Sequence, residues 1–284
     1  MTDRTTTPDR KNRYWARIWP HLVLILVSIV ALYPVLWVLK TALSPGQNLS
    51  PDPSPFPDTI TTEHFEHLLS DGTFIRQALN SLWVASITTV VGLFLSTSAA
   101  YAFSRFRFRG RGMLLSGFLL TQLFPGVVMM IPLYILMDLA GLLDTHLGLV
   151  VVYATTAIPF CTWMLKGWFD TLPKEMEEAA LIDGASRFTI FWRIVLPLSR
   201  PALAVTALFS FMTAWNEYIL AATFLNDAEL MTLPVALQRF VGEHETSWGL
   251  FAAGAILASI PVMLLFYALQ KHLVGGLTAG GVKG

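Results

Sequence analysis

The densest grouping of side chains able to do chemistry in this 284-residue chain lies between Asp170 and Arg200. From Thr171 to Gly184 run Pro173, the three carboxylates Glu175, Glu177 and Glu178, then Ala179, Ala180, Asp183 and Gly184. Proline in a first turn, acids at the positive end of the helix dipole and glycine as a left-handed stop predict one short helix. Ser186 is then placed to cap a second helix, Arg187 to Leu196, ended by Pro197. Met176, Ala179, Ala180 and Asp183 fall at helical 3–4 spacing, a face whose two methyl side chains let another surface approach closely. That chemistry is docking. Glu178 is placed to bond a backbone or basic group of a partner. Its competing role, interaction with the helix dipole, is worth only about 0.3–1 kcal/mol. Gly184 serves through the turn it permits. An amphipathic hairpin lying on a bilayer would use the same residues.

Other candidates are sparser. Asn216 and Glu217 form a polar, ionisable pair inside an apolar run, which suggests a functional or interhelical role. Glu217 lies about 16 residues past Pro201, roughly 24 Å of helix, and is expected near the external interface. His64 and His67 are i,i+3 neighbours among glutamates. A metal site is conceivable there, but a solvated helix face explains them as well, and no metal ligand set is assigned. Cys161, the one cysteine, sits in an apolar run and reads as a small buried hydrophobe. The chain has no G-x-x-x-x-G-K-[ST] loop, nucleophile elbow or H-E-x-x-H motif, so no catalytic residue is assigned.

The elements that must hold these residues are set by composition. With 54% hydrophobic and 13% charged residues, the chain departs from the roughly 25% charged of soluble domains. Mean hydropathy is +0.58. Stretches without Asp, Glu, Lys or Arg run for 22 residues (18–39), 28 (77–104), 26 (112–137), 21 (145–165) and 25 (246–270). About 20 apolar residues cross a bilayer as helix. The expected fold is an all-α polytopic membrane protein with helices near 20–42, 80–104, 113–137, 147–169, 201–223 and 250–271. All of the 19 lysines and arginines except Lys40, Arg76 and Arg239 fall on one face of that arrangement. Positive charge stays inside, so both termini are expected in the cytoplasm. The zero net charge and the lack of a dense basic cluster beyond the N-terminal segment argue against nucleic acid.

The expected organisation is an N-terminal tail (1–19), a first span (20–42) and an external segment (43–79). A core (80–271) with the loop 170–200 and a C-terminal tail (272–284) follow. Pro51, Pro53, Pro55 and Pro57 predict an extended stretch in the external segment, followed by a short amphipathic helix over 62–69. The acidic loop 224–249, tipped by Phe240 and Trp248, is expected to be folded and able to meet a partner.

Within the 170–200 loop, Glu178-Ala179-Ala180, three residues, Gly184, nine residues, Ile194, one residue, then Leu196-Pro197 resembles the EAA signature of ABC importer permeases. Tyr101-Ala102-Phe103-Ser104-Arg105 and Trp215-Asn216-Glu217-Tyr218 resemble the carbohydrate-importing members. The run Gly275 to Gly284 is similar to the tail of their maltose/maltodextrin permeases. The resemblance covers essentially the whole chain and implies a type I importer permease fold. The loop would be the coupling helix seated on a cytoplasmic ATPase. Thr278, Gly280, Gly281 and Val282 would reach between two ATPase subunits. Asn216 and Glu217 are candidates to line the translocation path, with a solvated interfacial role as the alternative. Phe124, Trp163 and Trp168 could stack on sugar rings, although aromatic residues in spans more often face lipid or core. Implied partners are a homologous second permease, an ATPase dimer, and a periplasmic or lipid-anchored sugar-binding protein. The cofactors, ATP and Mg²⁺, would belong to the ATPase and none to this chain. The external segment is shorter than in enteric-type relatives, which leaves the sugar range open. Two alternatives stay open: an importer of another oligosaccharide or of glycerol-phosphate, and a channel or intramembrane enzyme acting alone.

Overall fold

The computed structural model describes residues 10–47, 49, 52–242 and 246–279. They fall into two compact units, one within Met1–Ser70 and Phe240–Leu257, the other within Asp71–Arg239 and Ala258–Gly284. Apart from one isolated bridge, Val241 with Thr246, regular structure among the described residues is helical.

In the first unit α1 (Arg10–Leu43) opens with Arg10, Lys11, Arg13 and Arg17, and its span Ile18–Leu43 is apolar, with a mean hydropathy of 2.8. A helix hydrophobic all round belongs in a membrane. At its end Lys40 is buried, and its ammonium donates to the Asp52 carbonyl (2.9 Å) and the Ser54 carbonyl (2.8 Å). The Asp52 carboxylate adds an ion pair at 3.4 Å. The Asp52 carboxyl is held below its ordinary range chiefly by the Ser54 backbone N–H, with Lys40 assisting. The described part of the proline-rich stretch, from Asp52, forms no helix but bends at 55–56 rather than running fully extended, and it is pinned to α1. The short amphipathic helix is α2 (Glu63–Ser70). Its two histidines part company: His64 is buried with Nε2 3.0 Å from the Ser44 carbonyl, whereas His67 is exposed. They do not converge on one point.

The second unit is built on α3 (Gly72–Arg105), α6 (His146–Thr171) and α10 (Arg200–Trp215). Thr88, Gly92, Ser96 and Ala100 are buried at four-residue intervals along α3. Small residues at that spacing let helix backbones approach without a large apolar layer. A Cβ on Gly92 would stand 3.4 Å from Ser210 Oγ of α10. Ser96 Oγ donates to the Ile158 carbonyl of α6 at 3.3 Å. Cys161 is 1% exposed in this interface, in line with the hydrophobe expected there.

Five boundaries differ from expectation, and two are simple extensions: α1 starts at Arg10 rather than near 20, and α13 runs to Ala279 rather than 271. α3 begins at Gly72, capped by Asp71, because its polar first turns form helix outside the apolar run. The expected third span is two helices, α4 (Arg111–Leu123) and α5 (Gly126–Leu139), bent by 107°. Pro125 forces Phe124 into extended backbone and cannot donate a helical hydrogen bond. The expected fifth span, 201–223, is interrupted as well. α10 stops at Trp215, and α11 (Ile219–Phe224) restarts the chain after Asn216–Tyr218. Among the described residues four helices can cross a membrane by length and composition, or six if each bent pair counts as one, the second being Arg187–Leu198 with Arg200–Trp215 at 79°.

The loop after α11 is folded, as expected. Asp144 Oδ1 accepts from the Asn226 and Asp227 N–H groups at 2.9 and 3.0 Å. Asn80 Nδ2 donates to the Glu229 and Met231 carbonyls, and His146 Nε2 lies 2.8 Å from the Leu230 carbonyl. Arg76 pairs with Glu229 at 2.8 Å. The short α12 (Leu233–Gln238) follows, with the Leu233 N–H on Ser81 Oγ at 2.7 Å. α13 (Trp248–Ala279) is the last helix.

Candidate functional site

The hairpin expected between the fourth and fifth spans is present. α7 (Lys174–Ile182) begins one residue after Pro173, which is its N-cap rather than a member of its first turn. It ends in a Schellman turn. The Gly184 N–H donates to the Leu181 carbonyl (3.0 Å) and the Ala185 N–H to the Ala180 carbonyl (2.9 Å), with Gly184 at φ +85°. Ser186 Oγ then accepts from the Thr189 N–H at 3.2 Å and caps α8 (Arg187–Ile190). Contrary to expectation Pro197 does not end this second helix. A π-helical turn (Phe191–Val195) leads into α9 (Leu196–Leu198), where the proline is accommodated. The wider turn relieves the clash that a proline ring makes with the carbonyl four residues back.

What holds the hairpin is a buried clasp at the end of α3. Arg105 Nε donates to Glu177 Oε1 at 2.6 Å, and the Tyr101 hydroxyl donates to Glu177 Oε2 at 3.0 Å. The Arg105 and Glu177 side chains are 4% and 8% exposed. Arg105 also reaches Ser104 Oγ (2.8 Å) and the Leu172 carbonyl (3.4 Å), while Ser104 Oγ donates to Asp170 Oδ1 at 2.6 Å. Lys166 bonds the other oxygen of Asp170. Around the clasp, the Tyr101 ring packs against Phe191 and Phe169 at 4.9 and 6.3 Å. The Arg187 guanidinium lies 5.3 Å from the Phe106 ring centre.

The clasp divides the signature residues into two sets. Glu178, Ala179, Asp183, Gly184 and Pro197 face outward. Ala180 and Ile194 instead pack on the chain's own cluster of Leu165, Phe169, Ile190 and Val195. Leu196 is half-buried. Ala180 therefore leaves the expected docking face, because Glu177 three residues earlier turns that side of α7 inward. Ile182, 87% exposed, and Phe188, 72% exposed, join the outer surface with Met176. Sequence reasoning missed Glu177, Ile182 and Phe188. A signal was available for the first: Tyr101 and Arg105, four residues apart, put two polar groups on one face where a span ends.

Asn216 and Glu217 stand at the α10–α11 break. Asn216 is exposed, with its side-chain amide bonded back to the Met212 carbonyl at 2.9 Å. The Glu217 carboxylate caps α11, accepting from the Leu220 and Ala221 N–H groups at 3.0 and 3.1 Å. Glu217 shares a cavity of about 560 Å³ with Thr155 and Thr156, which stand midway along the 26-residue α6. The break falls only two residues before Glu217, so its distance along the chain from Pro201 is nearly that of the unbroken helix expected. Phe124 is 58% exposed at the same cavity, whereas Trp168 packs against the hairpin cluster and Trp163 donates to the Leu115 carbonyl at 3.3 Å. Thr278 lies in α13, where only the backbone is described, and Gly280, Gly281 and Val282 lie outside the described residues.

Broken apolar helices around a mid-helix cavity, with a polar hairpin clasped at one end, define a membrane-integral transport subunit. Comparison with known proteins agrees. Residues 90–278 match the family described as binding-protein-dependent transport system inner membrane component, and the chain belongs to that family. It is 41% identical over 269 residues to the maltodextrin transport system permease protein MdxG of Bacillus subtilis, covering 94% of this chain and 96% of that protein. It is 38% identical over 277 residues to the galactooligosaccharides transport system permease protein GanQ of the same organism, covering 96% and 98%. Among solved structures, it matches a chain of a bacterial ABC transporter involved in the import of the acidic polysaccharide alginate. The TM-score is 0.78 at 26% identity, covering 94% of this chain and 99% of that one. The chain is thus an all-α, multi-pass ABC permease of the bacterial inner membrane.

Proposed function

We propose that this chain is a permease subunit of an ATP-driven importer for maltose and maltodextrins, working by alternating access. The sugar class is supported by the carbohydrate transporters among its relatives, and maltodextrin in particular by the 41% identity to MdxG. The likeness to a galactooligosaccharide permease makes a second neutral oligosaccharide the alternative. The observation that carries the coupling role is the hairpin. Its outer surface, with Glu178, Ala179, Asp183, Ile182 and Phe188, is left free while Glu177 locks its inner side to α3.

In this reading the outer surface seats in a MalK-like ATPase dimer that binds ATP and Mg²⁺. ATP-driven closure of that dimer pulls on the hairpin, and the clasp passes the movement to α3 as a rigid lever. A MalF-like second permease completes the path. A sugar-binding protein, periplasmic or lipid-anchored, delivers substrate from outside to loops such as 224–249. Both termini lie in the cytoplasm, where the tail residues Thr278, Gly280, Gly281 and Val282 meet the ATPase.

Glu178→Lys is expected to leave the chain in the membrane and uncouple it. Loss of a hydrogen bond to a charged group costs about 1.5–3 kcal/mol, which translates to roughly tenfold or more in sugar-stimulated ATP hydrolysis. Normal stimulation in that variant would remove Glu178 from the docking surface. The substrate is tested by reconstituting the co-expressed complex in proteoliposomes. Binding protein is then added with maltose, maltotriose, galactotriose, lactose, trehalose and glycerol-phosphate in turn. Stimulation by maltose and maltotriose alone supports the maltodextrin assignment, and stimulation by another sugar replaces it.

A further inference from the structure

The cavity beside Glu217 lies where two broken helices face the middle of α6. Phe124 ends α4, Gly126 and Val127 begin α5, and Glu217 starts α11. At about 560 Å³ it falls within the range of small-ligand pockets, which are mostly apolar with a few convergent polar groups. The polar groups here are Thr121, Gln122, Thr155, Thr156 and Glu217, and the three threonine hydroxyls donate to carbonyls of their own helices. Gln122 Nε2 donates to the Thr156 carbonyl at 3.2 Å, which holds its amide against α6 and leaves its oxygen free of that bond. Pro159 has no N–H, so the Thr155 carbonyl has no helical donor four residues on. The Glu217 carboxylate accepts from two backbone N–H groups through both oxygens and has the Tyr153 hydroxyl beside it, which leaves it a lone pair for a further donor. Acceptors therefore outnumber donors. One face is aromatic, and no lysine, arginine or histidine occurs among the described lining residues.

We infer that this cavity is a saccharide station within this subunit itself, shaped for neutral sugars. Phe124 is the platform for the apolar face of a pyranose ring, and Gln122, the Thr155 carbonyl and Glu217 accept from its hydroxyls. Glu217 also sets specificity. A fixed carboxylate with no lysine, arginine or histidine among the described lining residues repels a uronate or phosphate, most strongly where water is scarce. The inference rests on the importer reading above and adds to it the side chains that touch the cargo.

Cysteine protection in the assembled, reconstituted importer tests it. Thr156→Cys and, separately, Val127→Cys are placed in a Cys161→Ser background and reacted with a thiol reagent. Protection is measured with the neutral trisaccharide that the importer takes up and with trigalacturonate. The neutral sugar is expected to protect both positions and the uronate neither. Phe124→Ala is expected to raise the half-protecting concentration about tenfold, and Glu217→Gln to narrow the neutral-to-acidic preference about tenfold. Phe124 is exposed at a helix end, so its truncation leaves the core untouched. An importer that takes up the neutral sugar but shows no protection at either position overturns the station alone. An importer that takes up no neutral sugar overturns the functional reading beneath it.

Discussion

Arg105→Ala is expected to abolish sugar-stimulated ATP hydrolysis and to lower the melting temperature of the purified complex. The replacement strands the Glu177 carboxylate, 8% exposed, with the Tyr101 hydroxyl as its remaining side-chain donor. Breaking a buried ion pair from one side costs about 3–5 kcal/mol, because the partner charge stays desolvated. Here the loss falls where α7 meets α3, so the hairpin should detach before the helical core melts. Glu177→Ala should behave alike. Replacing both residues with methionine removes both charges, and such exchanges are often neutral or stabilising. R105M/E177M is therefore expected to recover thermal stability relative to either alanine variant. Scanning fluorimetry beside ATP hydrolysis checks all three, and an Arg105→Ala complex with wild-type melting and stimulation would show that the clasp bears no load.

Gly184→Val should give the second-largest effect, for a purely conformational reason. A Cβ at Gly184 would meet nothing within 4 Å, so crowding is no obstacle. The cost lies in φ +85°, a left-handed conformation that costs an L-residue about 1–2 kcal/mol and is rarer still for a β-branched side chain. Valine would shift the turn and change the angle between α7 and α8, displacing Ile182 and Phe188 from their common surface. Asparagine tolerates the left-handed region better. The expected order of sugar-stimulated activity is therefore Gly, then Asn, then Val. Equal activity of the Asn and Val variants, both present at wild-type level in the membrane, would contradict a requirement for the turn.

How much of this was legible in sequence varies with the kind of signal. The hairpin could be read because its stops are local: Gly184 and Ser186 act within a few residues of themselves. Its orientation could not. Glu175, Glu177 and Glu178 are chemically alike, and only docking onto Arg105, more than 70 positions earlier, buries one of them. Helix breaks were hidden for a different reason. Absence of charge identifies the run 112–137, but Phe124-Pro125 breaks that run without adding any charge. The break at Asn216–Tyr218 was hidden inside the expected fifth span in the same way, by an otherwise apolar run on both sides. The small-residue stripe Thr88, Gly92, Ser96 and Ala100 could have been found by its four-residue period.

The central claim is that the outer face of α7 meets the ATPase. Ala179→Cys in a Cys161→Ser background tests it most directly, since Ala179 is exposed and Cys161 is the only native cysteine. A short photo-crosslinker attached to that cysteine in the assembled transporter is expected to capture the ATPase subunit in high yield. The same probe at exposed Thr121, in α4, should not. Crosslinking of Ala179→Cys only to lipid or to the second permease would contradict the account.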